Sequence, residues 1–488
     1  MPLLPLFPPA YWEVRSVRSE GQSGAAIWTR CSGFIFKTGQ INGETKVVHC
    51  FEISGQKLVY DPVSGGLHAV DDLAFEIISS LVQGKEMPVD DQREAVAEIL
   101  AEVENLKATG SLFTPDHGRE LYTPPAFAPK ALCLMISQQC NLRCSYCFAQ
   151  EGTYGSGGMM TEEAAFKAVD FLLEASGSIG AIEVDFFGGE PLMNFSVVAA
   201  TIEYGAEKAK TRGKKITFTI TTNALLLDET VTGLLLERGV NVVLSIDGRK
   251  EVHDRFRRFP GGRGSYEQVL ANAKRFFNSW AVSSQSSYCY VRGTYTRMNL
   301  DFARDFCHLV EQGLTSISLE PVVAAPGADY AIKAGDLPVI KAEYERLAEH
   351  YLSFRRQGKP VRFFHFELDP AGGPCLTKRV TGCGAGFSYL AVSAEGRLYP
   401  CHQFVGNEEF CIGDLNHGIR RPEVVEAFRQ AHVYNKPCAT CWARFYCGGG
   451  CHATAYAANG TIFKPSFIGC NLLHRRFECA LYVAAASA

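Results

Sequence analysis

Between residues 129 and 320, short apolar runs alternate with stretches in which apolar residues recur at three- and four-residue intervals. The runs fall at 132–136, 182–187, 216–221, 242–246, 288–295 and 317–320, and the amphipathic stretches at 162–174, 197–210, 228–238, 266–278 and 301–312. Such runs between helices read as strands of a parallel sheet. Six β/α units of this kind build either a partial barrel or a doubly wound sheet, and both carry their chemistry at the C-terminal ends of the strands. Ahead of them, 47–53, 57–61 and 67–70 alternate like short strands with turns at Ser54-Gly55 and Gly65-Gly66. Residues 71–81 and 92–109 follow with helical spacing, the second stopped by Gly110. By periodicity alone this β-then-α module reads equally as a structural appendage or as a binding element. A small-residue linker at 324–327 and a helix over 341–356 lead to the last quarter of the chain, whose final residues, 484–488, read as a frayed end.

The 488 residues have room for about three domains. With 47% hydrophobic and 20% charged residues, a disordered chain is excluded. The net charge of −4 supplies no reason to expect nucleic acid or an anionic membrane as partner. The N-terminal MPLLPLFPPAYWEVRS is broken by prolines and lacks a basic start, so it does not read as a signal peptide, and no run of about 20 apolar residues follows. These features predict a cytoplasmic protein with reduced thiols, in which clustered cysteines serve as metal ligands. There are 18 cysteines, and those from Cys375 to Cys479 crowd the last quarter.

Directly after the first strand of the repeat stands Cys140-Asn-Leu-Arg-Cys144-Ser-Tyr-Cys147. Three thiolates on one loop can hold three irons of a [4Fe–4S] cube and leave the fourth without a protein ligand, an open position of the kind that activates a bound molecule. A zinc site completed by a distant residue is the alternative. Phe187-Gly188-Gly189-Glu190-Pro191 ends the second strand, Thr222-Asn223 the third, Ser245-Ile246-Asp247-Gly248 the fourth, and Arg292 lies on the fifth. Singly, each reads as an ordinary strand-end turn or strand residue. The run Arg255-Phe256-Arg257-Arg258-Phe259, with Gly261, Gly262 and Arg263, reads as a solvated loop ahead of an anion cradle. Farther on come Cys383, Cys401, Cys438-x2-Cys441-x5-Cys447-x3-Cys451 and Cys470, part of which suits a zinc ribbon taken alone. Cys31, Cys50, Cys133, Cys289, Cys307, Cys411 and Cys479 read as core packing, and His402 and His452 as cluster neighbours or structural histidines.

The C-x3-C-x2-C spacing with an aromatic before its last cysteine, together with the GGE turn, resembles the radical S-adenosylmethionine superfamily. The seven C-terminal cysteines resemble the SPASM signature of its peptide-modifying members. The phrases at 67–72, 400–406 and 441–451 resemble one subgroup, which contains the thioether-forming maturases of six-cysteine peptides and of quinohemoprotein amine dehydrogenase. The resemblance implies a partial (β/α)6 barrel over 126–335 after a tail, 1–40, and a winged-helix-like peptide recognition module, 41–125. A linker helix region, 336–374, and a SPASM domain, 375–488, complete the expected organisation.

Three [4Fe–4S] clusters and S-adenosylmethionine are the implied cofactors. Cys140, Cys144 and Cys147 would hold the first cluster, Cys438, Cys441, Cys447 and Cys470 another, and Cys383, Cys401 and Cys451 the third. Cys375 is the candidate for the third cluster's remaining position, which related enzymes leave open for a substrate thiolate. Gly188, Gly189, Glu190, Thr222, Asn223, Ser245 and Arg292 would bind S-adenosylmethionine, and Asp247 is a candidate base. The implied partners are a cysteine-containing peptide held by its leader segment, namely the dehydrogenase small subunit, and an electron donor such as flavodoxin or ferredoxin. The implied reaction joins Cys sulfur to a methylene carbon of Asp or Glu, with Cys-to-Thr thioethers as the alternative. A non-catalytic peptide carrier with structural zinc is the reading of a different class.

Overall fold

The computed structural model describes residues 47–85, 93–283, 287–324, 327–368 and 375–487, so the tail 1–40, Cys31 and part of the linker 324–327 lie outside the described residues. Three antiparallel strands come first, β1 (His49–Ile53), β2 (Gln56–Tyr60) and β3 (Leu67–Val70), in that spatial order. Ser54 and Gly55, both at positive φ, close a two-residue turn that sets Ile53 opposite Gln56. Period-2 alternation then gives the sheet two apolar faces. Val48 and Val59 face the helices Asp72–Gln83 and Arg93–Ala108, meeting Ile78 and Val103. Phe51, Ile53, Leu58 and Tyr60 turn the other way and join the main core. His49 stacks on Trp442 with ring centroids 3.7 Å apart and bonds Glu478 at 2.8 Å. The module is therefore docked through a whole sheet face, which a loose appendage would not be.

The main sheet contains β4 (Ala131–Ser137), β5 (Ala181–Gly188), β6 (Lys215–Thr222), β7 (Asn241–Ser245), β8 (Cys289–Tyr295) and β9 (Ser316–Pro321), all parallel and each beside its neighbour in sequence. The order never reverses, so the sheet has no doubly wound switch point. Right-handed crossovers then place the connecting helices on one face, which is the connectivity of a partial barrel. All seven residues of β4 are buried, as expected for a strand flanked on both edges and covered on both faces. On β8 alternation sorts the side chains by function: Cys289, Val291 and Tyr295 enter the core under the helices, while Tyr290, Arg292 and Thr294 line the interior. The helices Glu162–Ala175 and Glu229–Glu237 start at Thr161 and Asp228, whose side chains accept the backbone N–H three residues on.

The short β10 (Arg362–Phe363) extends β9 in parallel. At the opposite edge the structure departs from a self-contained C-terminal domain. β11 (Tyr389–Val392) pairs in parallel with β4, and β12 (Arg397–Tyr399), β13 (Gly413–Asp414) and β14 (Gly418–Ile419) continue the sheet antiparallel to eleven strands. An unpaired edge on so apolar a strand as β4 would invite association, and β11 covers it.

The helix Phe467–Ser487 packs on Leu337–Arg356, and of the end expected to fray, 484–488, it includes the residues through Ser487, the last one described. Its apolar stripe is broken by Arg475, Arg476 and Glu478, and the fold pairs these internally: Arg475 with Glu478 at 2.7 Å, Arg476 with Glu320 at 3.0 Å and Glu478 with His49. No described helix is long and apolar enough to cross a membrane.

Candidate active site

Cys140, Cys144 and Cys147 lie on the loop that leaves the C-terminal end of β4. Backbone bonds from Arg143 N to Arg258 O (2.7 Å) and from Ser145 N to Phe256 O (3.1 Å) anchor it to the segment after β7. On its other side, Gly189 N donates to Ser137 O at 2.7 Å and Glu190 N to Gln139 O at 2.8 Å. Gly188 has φ +133°, and a Cβ there would stand 2.1 Å from Ser137 O; one on Gly189 would stand 2.2 Å from Gln139 O. The glycine pair is thus required first by backbone lying on backbone.

N–H groups point at the sulfurs: Leu142 N to Cys140 Sγ at 3.4 Å, Asn223 Nδ2 to Cys140 Sγ at 3.8 Å and Arg257 Nη1 to Cys144 Sγ at 3.9 Å. Burial pushes the Cys140 thiol up to about 12 and also raises Cys144. Thiolate ligands here must therefore form together with a compensating metal charge. Three mutually close thiols with donors for sulfur fit a [4Fe–4S] cluster.

These cysteines open on one cavity, with Gly188, Gly189, Thr222, Asn223, Ser245 and Arg292 also in its wall. Two expected site residues stand behind that wall. Glu190 is 1% exposed; its Oε1 accepts from Thr222 Oγ1 (2.7 Å) and Leu192 N (3.0 Å), and its Oε2 from Asn223 N (2.7 Å). Burial lifts this carboxyl to about 7. Its visible work is to tie the ends of β5 and β6 together. Asp247, the candidate base, does not itself line the cavity. Its Oδ2 accepts from Tyr146 OH at 2.6 Å and its Oδ1 from Thr294 N at 3.0 Å, with Arg257 Nε at 3.5 Å, so both oxygens are engaged by residues of the cavity wall. Asp247 holds Tyr146 and Arg257 in place, and these two do reach the cavity.

Two carboxylates line the cavity, the exposed Glu151 and the buried Glu320 at the end of β9. Arg476 Nη1 meets its Oε2 at 3.0 Å, and His365 Nε2 stands 3.4 Å from Oε1. The histidine does not make this an ion pair, because burial and the neighbouring Arg476 and Arg292 guanidiniums hold its pKa well below the ordinary value. Sequence reasoning passed over Glu320 and placed Arg257 in a solvated loop. An acidic residue closing an apolar strand was the signal available for the first; nothing local marked the second. His402 also lines the cavity, its Nδ1 bonded to Tyr389 OH at 3.1 Å, whereas His452 is a buried structural residue bonded to Ala431 O.

The later cysteines stand in two groups. Cys447 lies within electrostatic reach of Cys438, Cys441 and Cys470, and Cys401 within reach of Cys383 and Cys451. Burial lifts Cys447 to about 12 and Cys383 to about 11. Among the described residues no three Cys, His, Asp or Glu side chains converge tightly enough for a single metal ion. Thiols grouped in this way are the donor type of iron–sulfur clusters and of zinc alike. Cys375 is not drawn into the second group: it is exposed just ahead of the helix Leu376–Thr381, beside Lys378. Cys133, Cys289 and Cys479 are buried, and Cys50, Cys307 and Cys411 half-buried.

Asp185 on β5 is 2% exposed and neither carboxylate oxygen has a hydrogen-bond partner. Burial, then the charge of Glu183, hold its pKa well above the ordinary value. The folded state therefore keeps this proton while the unfolded chain loses it above about pH 4, so Asp185 costs more stability as pH rises. Asp185→Asn should raise the thermal midpoint, and the gain should be larger at pH 8 than at pH 6. Equal gains at both pH values would count against a buried neutral acid.

Residues 134–296 match the model of the radical SAM superfamily. An AdoMet-dependent heme synthase from Methanosarcina barkeri is 25% identical over 366 residues, 68% of this chain and 94% of that protein. A cysteine-type anaerobic sulfatase-maturating enzyme from Clostridium perfringens is 26% identical over 337 residues, 64% of this chain and 86% of that protein. Among solved structures, native anSMEcpe with bound AdoMet and Kp18Cys peptide superimposes with a TM-score of 0.60 at 21% identity, over 74% of this chain and 100% of that one.

Proposed function

From the premise that this chain is a radical S-adenosylmethionine enzyme, we propose that it matures a peptide by joining cysteine sulfur to methylene carbons of Asp or Glu, in the small subunit of quinohemoprotein amine dehydrogenase. A non-catalytic carrier with zinc does not agree with that premise. The observation that carries the proposal is the presence, beyond the Cys140 loop, of two further cysteine groups, one of which packs into the same apolar cluster as Cys147. The sulfatase-maturating relative and the neighbour that holds a peptide support a peptide substrate.

Cys140, Cys144 and Cys147 would hold the first cluster, and the later groups, with or without Cys375, two auxiliary ones. When bound, the reduced cluster and S-adenosylmethionine supply one-electron cleavage of a sulfonium and a carbon radical able to take hydrogen from the peptide. The chain supplies position. Gly188, Gly189, Thr222, Asn223, Ser245 and Arg292 form the cofactor side of the cavity, with Glu190 bracing Thr222 and Asn223 from behind. Arg292 suits a carboxylate by a bidentate contact. Glu320 Oε1, beside neutral His365, accepts the proton, with Asp247 as the alternative base. The leader segment adds to an outer strand of the β1-β2-β3 sheet, and flavodoxin or ferredoxin delivers the electron.

Anaerobic incubation with the small-subunit peptide should remove two hydrogens per link by mass spectrometry, and the reconstituted chain should contain about 12 irons. An unchanged peptide mass would refute the substrate. A map showing Cys-to-Thr links would assign the six-cysteine-peptide reading instead, whose subgroup shares the 400–406 and 441–451 phrases.

A further inference from the structure

We infer that Lys436 is a counter-charge shared by the two C-terminal cysteine groups, and that its ammonium raises the reduction potential of both clusters they hold; this rests on the auxiliary clusters of the proposed function. Lys436 is 4% exposed, and lysine is almost never so buried without a partner of opposite charge. Burial works against the charge of its ammonium and pulls its pKa below the ordinary value, and the opposing pulls come from four cysteines, Cys438 and Cys447 of one group and Cys383 and Cys451 of the other.

The backbone fixes the ammonium between them. Lys436 Nζ donates to Gly449 O at 3.0 Å, and Gly449 is the middle of the three glycines that link Cys447 of one group to Cys451 of the other. All three have positive φ, 64°, 86° and 78°, which L-residues with a side chain rarely adopt. A Cβ on Gly449 would come within 3.3 Å of Lys436 Cδ and 3.5 Å of Nζ. The triple glycine thus wraps the lysine as well as spacing the cysteines.

Reduction adds one electron, and so one negative charge, to a cluster. A fixed cation buried among the ligands would favour that reduced state, and nearby charge is among the levers that set iron–sulfur potentials. Because one cation serves both groups, its removal should lower both potentials.

The test is an anaerobic redox titration, followed by electron paramagnetic resonance, of the full reconstituted chain and its Lys436→Met and Lys436→Arg variants. In Lys436→Met both auxiliary signals should fall at least tenfold in reduced-to-oxidised ratio at fixed poise, 59 mV for a one-electron couple. The Cys140 cluster, recognised by its response to S-adenosylmethionine, should not move, and Lys436→Arg should keep the parent's potentials. Unchanged auxiliary potentials in an iron-replete Lys436→Met overturn the inference. If Lys436→Met loses auxiliary iron, retention by Lys436→Arg supports a requirement for charge, and equal loss from both variants overturns it. A parent chain with iron for one cluster only would end the three-cluster reading itself, and iron analysis reports that before any variant is made.

Discussion

With Cys140, Cys144 and Cys147 replaced by alanine, release of 5′-deoxyadenosine from S-adenosylmethionine should fall below detection while peptide binding survives. The three sulfurs are the protein ligands available on that loop, and the open iron position depends on all of them. The loop's fold does not depend on the thiols. Backbone bonds from Arg143 and Ser145 to the 256–258 segment, and from Gly189 and Glu190 to residues 137 and 139, hold it from both sides. The variant should therefore fold, bind the peptide and retain about 8 irons in the auxiliary groups. The β1-β2-β3 sheet, proposed to hold the leader segment, precedes the loop in sequence and has its own apolar cluster around Val59, Ile78 and Val103. Residual cleavage under strong reductant would mean that the cluster is held elsewhere; loss of peptide binding together with cleavage would argue against a separate recognition module.

Replacing Arg476 by methionine should destabilise the protein by about 3–5 kcal/mol, the cost of leaving one member of a buried ion pair uncompensated. Arg476 is 3% exposed and Glu320 1%, with Nη1 and Oε2 3.0 Å apart. The guanidinium comes from the C-terminal helix and the carboxylate from the end of β9, so the pair also fastens that helix to the cavity floor. His365 cannot replace the lost charge, because burial keeps it neutral. The second substitution Glu320→Gln in the same chain should recover much of the loss, since no buried charge then remains. Urea unfolding of the two variants decides the matter. A change below about 1 kcal/mol in Arg476→Met would show a pair screened as surface pairs are.

Much of the architecture is encoded locally. The six β/α units follow from spacing that alternates between apolar runs and helical stripes, and each strand lies within a residue or two of its pattern. Burial on one side of each element is enough to specify this, because the periods of strand and helix differ. The cysteine loop after β4 is legible for a similar reason, as its ligands sit within eight residues. The C-terminal helix was not legible: the charges that interrupt its stripe are paired with β1, β9 and the helix Leu337–Arg356, more than a hundred residues away.

The sequence by itself determined the β/α alternation, the position of the thiols at a strand end and the register of the later cysteines. Those depend on spacing along one chain segment. Only the tertiary structure decided that strand order runs without reversal, that β11 seals the edge of β4, and that Glu320 faces the cavity while Asp247 turns to Tyr146 and Arg257. It likewise placed Lys436 between two cysteine groups. The physical reason is that a strand-end carboxylate or a buried cation takes its direction from partners on other elements, and those partners meet it only when the sheet has curled and the final helix has docked.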